Sequence, residues 1–66
     1  MQIQVNGDSR EVKQGTTIAT LIEELELNPK LLAVEQNQTL VPRTEHARTE
    51  VSDGDQIEIV TLVGGG

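Results

Sequence analysis

The chain has no cysteine, no phenylalanine, tyrosine or tryptophan, and only two prolines in 66 residues. Without cysteine there can be no disulfide, no thiolate nucleophile, no redox pair and no thiolate-held zinc, so any sulfur chemistry must use a borrowed atom. Without aromatic rings there is no platform on which a base, a sugar or a flat cofactor could stack, and the core must come from Ile, Leu, Val, Ala and Met. Long apolar runs are missing too; none approaches the roughly 20 residues needed to cross a bilayer. Met1 leads into Ile3 and Val5 without a basic stretch followed by an apolar one, which predicts a cytoplasmic protein with no leader and no membrane association. Basic residues are scarce: five Lys and Arg against 11 Asp and Glu leave a formal charge of -6. Such a surface repels nucleic acid phosphates and suits either a basic patch on a protein partner or plain solubility.

What remains is a short chain with strong local signals. At this length a single thin core is expected, burying only about 60% of the unfolded chain's surface. Met1, Ile3 and Val5 alternate with Gln2, Gln4 and Asn6, as a half-buried strand requires. Asn6-Gly7-Asp8 is a hairpin turn because both leading residues tolerate positive φ, so Ser9–Val12 is expected to return antiparallel. Thr16 or Thr17 offers a capping hydroxyl for a helix whose apolar stripe is Ile18, Leu21, Ile22 and Leu25, with Glu23, Glu24 and Glu26 toward solvent. Asn28-Pro29 is expected to end it. Leu31–Glu35 and Thr39–Val41 read as short strands. Residues 43–51 read as a loop with one helical turn, and Asp53-Gly54-Asp55 as a turn into a final strand, Gln56–Val63. Two hairpin strands, a terminal strand and one helix to cover them predict an α+β fold, with the first and last strands parallel at the centre of a mixed sheet of four to five strands: the ubiquitin-like β-grasp. The domain is read as residues 1–63, with 64–66 as a glycine tail.

The tail carries the candidate chemistry. Gly64-Gly65-Gly66 follows the last strand with no polar linker, and from Val63 onward it can reach at most about 13 Å from the domain. Lacking Cβ atoms, it is thin enough to thread a partner's pocket and present an unhindered Gly66 carboxylate for adenylation and displacement by sulfur or nitrogen. Frayed ends share this composition. Ile57 and Ile59 should face the helix, leaving Val60 and Leu62 on the opposite face unless a bulge near Thr61 turns one inward. Arg43, after Leu40-Val41-Pro42, is placed at the border of that face, as an interface cation or a solvated side chain. His46, the lone histidine, has no second imidazole or thiolate with which to hold a metal and reads as a surface residue. Glu23, Glu24 and Glu26 read as a solvated face, Asp53 and Asp55 as turn residues, and no acid/base pair or nucleophilic triad is visible.

Three segments carry a family likeness: the opening strand Met1–Gly7, then Val34–Asn37 with Leu40-Val41-Pro42-Arg43, and Asp53–Val60 running into Val63-Gly64-Gly65-Gly66. Together they resemble the ThiS family of thiamine-biosynthesis sulfur carriers across the whole chain, more closely than the MoaD carriers of molybdopterin synthesis. Members of the family commonly carry a tryptophan shortly after the Val-Pro-Arg block, where this chain has Thr44-Glu45-His46. The resemblance implies that a ThiF-like enzyme adenylates Gly66 with ATP and that a persulfide donor converts the adenylate to a thiocarboxylate, which thiazole synthase (ThiG) consumes. It implies that Gly64 and Gly65 let the tail thread, that Val60, Leu62 and Val63 dock partners, and that the protein is a co-substrate, not an enzyme. Arg43 joins the docking candidates by its position, no bound cofactor or metal is expected, and a monomer is expected because a tail that must enter a partner's pocket should stay free, with weak self-association through the apolar residues beside it as the alternative. The alternatives are a MoaD-like or other pathway carrier, a ubiquitin-like modifier, or a β-grasp binding module with an inert tail.

Overall fold

Asn6 and Gly7 both adopt positive φ, 51° and 87°, and close a tight hairpin between β1 (Gln2–Val5) and β2 (Asp8–Glu11). The computed structural model that shows this describes residues 1–62. Five strands form one sheet in the order β2-β1-β5-β3-β4. β3 is Leu32–Gln36, β4 Thr39–Val41 and β5 Gln56–Thr61. β1 and β5 run parallel at the centre, every other pairing is antiparallel, and this is the mixed β-grasp layout anticipated above.

One helix, α1 (Ile18–Glu24), covers one face of the sheet. Thr17 is its N-cap: the Thr17 hydroxyl oxygen accepts from the Thr20 amide at 3.1 Å, satisfying one of the four amides a helix start leaves open. Thr16 is buried, and its hydroxyl donates to the Lys13 carbonyl at 2.7 Å. Ile18, Leu21 and Ile22 point into a core completed by Ile3, Val12, Leu32, Val34, Val41, Val51, Ile57 and Ile59. Fully burying each aliphatic side chain of that kind contributes about 1.5–3 kcal/mol.

The structure departs from expectation at several boundaries: β2 runs Asp8–Glu11, one residue earlier than Ser9–Val12, and β5 ends at Thr61 instead of continuing through Leu62. α1 stops at Glu24, four residues before Asn28, because Glu26 takes a left-handed φ of 59° and turns the chain away. Leu25 and Leu27 then pack partly buried against the core from outside the helix. Leu31 belongs to a 3-10 turn, Pro29–Leu31, which Asn28 caps by accepting from the Lys30 amide at 3.0 Å, and so β3 begins one residue later than the apolar run suggests. The irregular stretch after Pro42 contains a 3-10 helix, Arg43–Arg48, and a single bridge between Thr17 and Glu50 ties its exit to the start of α1.

Candidate functional site

β5 begins in a polar knot. Asp55 is buried, and its carboxylate accepts from the Ser52 amide (2.7 Å), the Gln36 side chain (2.8 Å) and the Asn37 side chain (3.0 Å). Burial by itself would push this acid up, but the donors of Asn37, Ser52 and Gln36 favour the charged form and hold it below the ordinary carboxylate value. Asn37 also accepts from the Gln56 amide at 2.9 Å, and the neighbouring Asp53 carboxylate accepts from the Gln2 amide at 2.8 Å. Halfway along the strand Asn6 acts as a surrogate peptide group: its side chain accepts from the Ile59 amide at 2.7 Å and donates to the Ile59 carbonyl at 3.1 Å. The position and direction of β5 are thereby fixed from both neighbouring strands.

The other end of β5 is bare. Ile57 and Ile59 face the core while Val60 stands on the outer face, as parity predicts, and Thr61 stays in register opposite Leu32 with no bulge. Among the described residues, the large aliphatic side chains left exposed are Leu31 (56%), Leu40 (61%), Val60 (59%) and Leu62 (55%). Ladder register puts Val60 opposite Ala33, and the Leu62 amide donates to the Leu31 carbonyl at 2.6 Å. Leu40, on edge strand β4, lies across from Glu35 on the same outer face. Val60 and Leu62 thus share the outer face with Leu40, whose block was expected at its border, while exposed Leu31, joined to Leu62 through the backbone, was not expected there. Exposed apolar groups gathered in this way mark a contact surface more often than scattered ones do.

Arg43 is exposed but lines a separate hollow with Ala19, Pro29, Lys30, His46 and Ala47, a space of about 290 Å³. His46 is a correction to the expectation of a surface residue: only 4% of it is exposed. It occupies the inward position of the 3-10 helix, where one ring nitrogen, Nε2, lies 3.0 Å from the Val41 carbonyl. A period-3 helix turns every third residue to the same side, and the charged residues around His46 hid that placement in the sequence. Val63, Gly64, Gly65 and Gly66 lie outside the described residues. Among those described, no three His, Cys, Asp or Glu side chains gather as a metal site would require, and no helix is long and apolar enough to cross a membrane.

A strand pinned at its start, an apolar surface at its finish and a triglycine beyond it invite comparison with known proteins. The family model described as the ThiS family matches residues 3–66. This chain belongs to the ThiS family. It is 36% identical over 66 residues to the sulfur carrier protein ThiS of Escherichia coli K12, covering 100% of both chains. It is 38% identical to a thiazole synthase of Paramagnetospirillum magneticum, of whose length it spans 20%. The crystal structure of the thiamine biosynthesis protein ThiS from Geobacter metallireducens superposes with a TM-score of 0.82 at 30% identity, covering all of both chains. The β-grasp architecture and the family resemblance of the sequence are both sustained.

Proposed function

We propose that this chain is a sulfur carrier of thiamine biosynthesis, with the carboxylate of Gly66 as its cargo site. The observation that carries the reading is the construction of β5 in a ThiS-family chain: a strand locked at Asp55 and Asn6 that runs past exposed Val60 and Leu62 toward three consecutive glycines. In the proposed cycle a ThiF-like enzyme brings ATP to the tail. The Gly66 carboxylate attacks the α-phosphorus, pyrophosphate leaves, and an acyl-adenylate forms. The terminal sulfur of a persulfide donor then attacks the acyl carbon and expels AMP. A thiol cleaves the resulting sulfur–sulfur bond, leaving the thiocarboxylate on Gly66 and a disulfide in the donor system.

Thiazole formation is the favoured destination because a curated thiazole synthase contains a segment 38% identical to this whole chain. A segment of that kind within the consuming enzyme fits a carrier and a synthase that work on one another. In this scheme Gly64 and Gly65 keep the tail narrow, and Val60, Leu62 and Val63 hold the partner while Gly66 reacts. The chain supplies no acid, base or nucleophile beyond its own carboxylate; it is a co-substrate that each cycle regenerates. Exchange of labelled pyrophosphate into ATP, catalysed by the adenylating enzyme of the same genome, tests the first step. Exchange should depend on the full-length chain and vanish when Gly66 is deleted; exchange that persists without Gly66 would sink the proposal.

A further inference from the structure

α1 ends at Glu24, and the sheet continues past the helix that covers it. Beside the uncovered stretch of the inner face lies a hollow of about 480 Å³, within the roughly 300–1,000 Å³ usual for small-molecule sites. Its walls are aliphatic: Val5 and Ile59 from the sheet, Leu25 and Leu27 from the segment that follows the helix. Two charged residues of β2, Asp8 and Arg10, border it. They stand opposite Val5 and Ile3 in the β1–β2 ladder, so both lie on the inner face, two residues apart. Among the described residues Asp8 takes part in no ion pair. The Arg10 guanidinium reaches only Glu24, 3.8 Å away, and its Nε–H is enclosed without an acceptor. Enclosed donors without a partner are rare in folded proteins, and one on a guanidinium beside a hollow calls for an oxyanion.

We propose that this hollow binds a small aliphatic α-amino acid, with its carboxylate on Arg10, its ammonium on Asp8 and its side chain against Leu25, Leu27 and Ile59. A forked guanidinium can donate from Nε and a terminal nitrogen to the two oxygens of one carboxylate, which satisfies the enclosed Nε–H. Asp8 decides the class of ligand. A plain carboxylate meets a like charge beside its own partner, and a plain amine meets Arg10, whereas a zwitterion offers each residue the opposite sign. The spacing agrees, because residues two apart on a strand are separated by about 6.4–6.8 Å along it. An ammonium and a carboxylate on one carbon, each held by a charge-assisted hydrogen bond of about 2.7–2.9 Å, bridge such a gap. The aliphatic walls favour a branched hydrocarbon side chain, whose apolar surface they remove from water. Thr61, the last residue of β5, also lines the hollow, so the ligand sits near the end of the strand on the face opposite exposed Val60. Because every residue involved belongs to this chain, the site does not depend on the sulfur-carrier reading.

Titration of the full, isotope-labelled chain with leucine, followed by two-dimensional amide NMR, tests the site directly. Saturable shifts are expected at millimolar leucine, concentrated in the amides that line the hollow on β1, β2, the Leu25–Leu27 segment and the end of β5. Affinity should fall at least tenfold in R10Q and in D8N, with the remaining amide spectrum unchanged to show that both variants fold. Isocaproate and isoamylamine share leucine's branched body but carry one charge each, and both should bind at least tenfold more weakly than leucine. Leucine that produces no saturable shift at the hollow overturns the site, and so do shifts that R10Q leaves unchanged. Isocaproate that binds as tightly as leucine overturns the zwitterion assignment. None of these outcomes alters pyrophosphate exchange at Gly66, which reports on the carrier reading alone.

Discussion

β5 enters the sheet at Gln56 through a mesh of side-chain hydrogen bonds and leaves it at Thr61 and Leu62 among exposed aliphatics. At the first end Asp53, Asp55, Asn37 and Gln36 use most of their polar atoms on the fold itself. At the second end the polar groups are sparse and the apolar ones uncovered. The contrast shows where the molecule spends its specificity. In the proposed carrier role, a tail whose reach is at most about 13 Å delivers an atom accurately only if its anchor is immobile. The hydrogen-bonded end supplies the immobility, and the bare end is left free to be covered by something else.

If that contrast is real, substitutions at the two ends of β5 should fail in different ways. The largest stability effect is expected from Asp55→Ala, which strands the donors of Ser52, Gln36 and Asn37. A loss of about 2–4 kcal/mol, read from urea unfolding, follows from leaving such groups unsatisfied. Asn6→Ala removes both bonds to Ile59 and places a Cβ-bearing residue without Asn's tolerance at positive φ; about 1–2 kcal/mol should be lost by the same assay.

Acid should attack the same end. The Asp55 carboxyl is held below its unfolded value, so its stabilising contribution is complete above about pH 4 and is lost as pH falls through the folded value. Thermal melts across pH 2–6 should therefore show a steep acid limb that Asp55→Asn flattens, with reduced stability at neutral pH. An unchanged limb would mean that other carboxylates control it.

At the bare end the expectation is reversed. Val60→Ser and Leu62→Ser should change stability by less than about 0.5 kcal/mol, as surface substitutions do, while weakening association with the adenylating enzyme. A large loss of stability from either would show that the surface belongs to the fold and not to a partner. The smallest effect sharpens the frame alone: Gln38 sits at φ 71° in the β3–β4 turn, and Gln38→Gly should stabilise by roughly 0.5–1 kcal/mol by relieving it.

The sheet, its hairpins and the outward placement of Val60 were legible because they depend on short-range pattern. Alternation set the faces, and Asn6-Gly7 and Asp53-Gly54 set the turns. The end of α1 was not legible, since Glu26 adopts its left-handed φ without the glycine or asparagine that usually signals one. His46 was misplaced because a short 3-10 helix among charged residues leaves too few turns for an apolar stripe to show. The Asp55 knot escaped for another reason: Gln36 and Asn37 lie 19 and 18 residues away in sequence, so no local pattern joins them to it.

The most direct test of the central claim is the intact mass of the protein after incubation with Mg-ATP, the adenylating enzyme of its genome, a persulfide donor and a thiol. The account predicts a mass gain equal to replacing one oxygen by sulfur, localised to Gly66 and absent from a variant lacking that residue. A mass that never changes, with no adenylate trapped along the way, would contradict it.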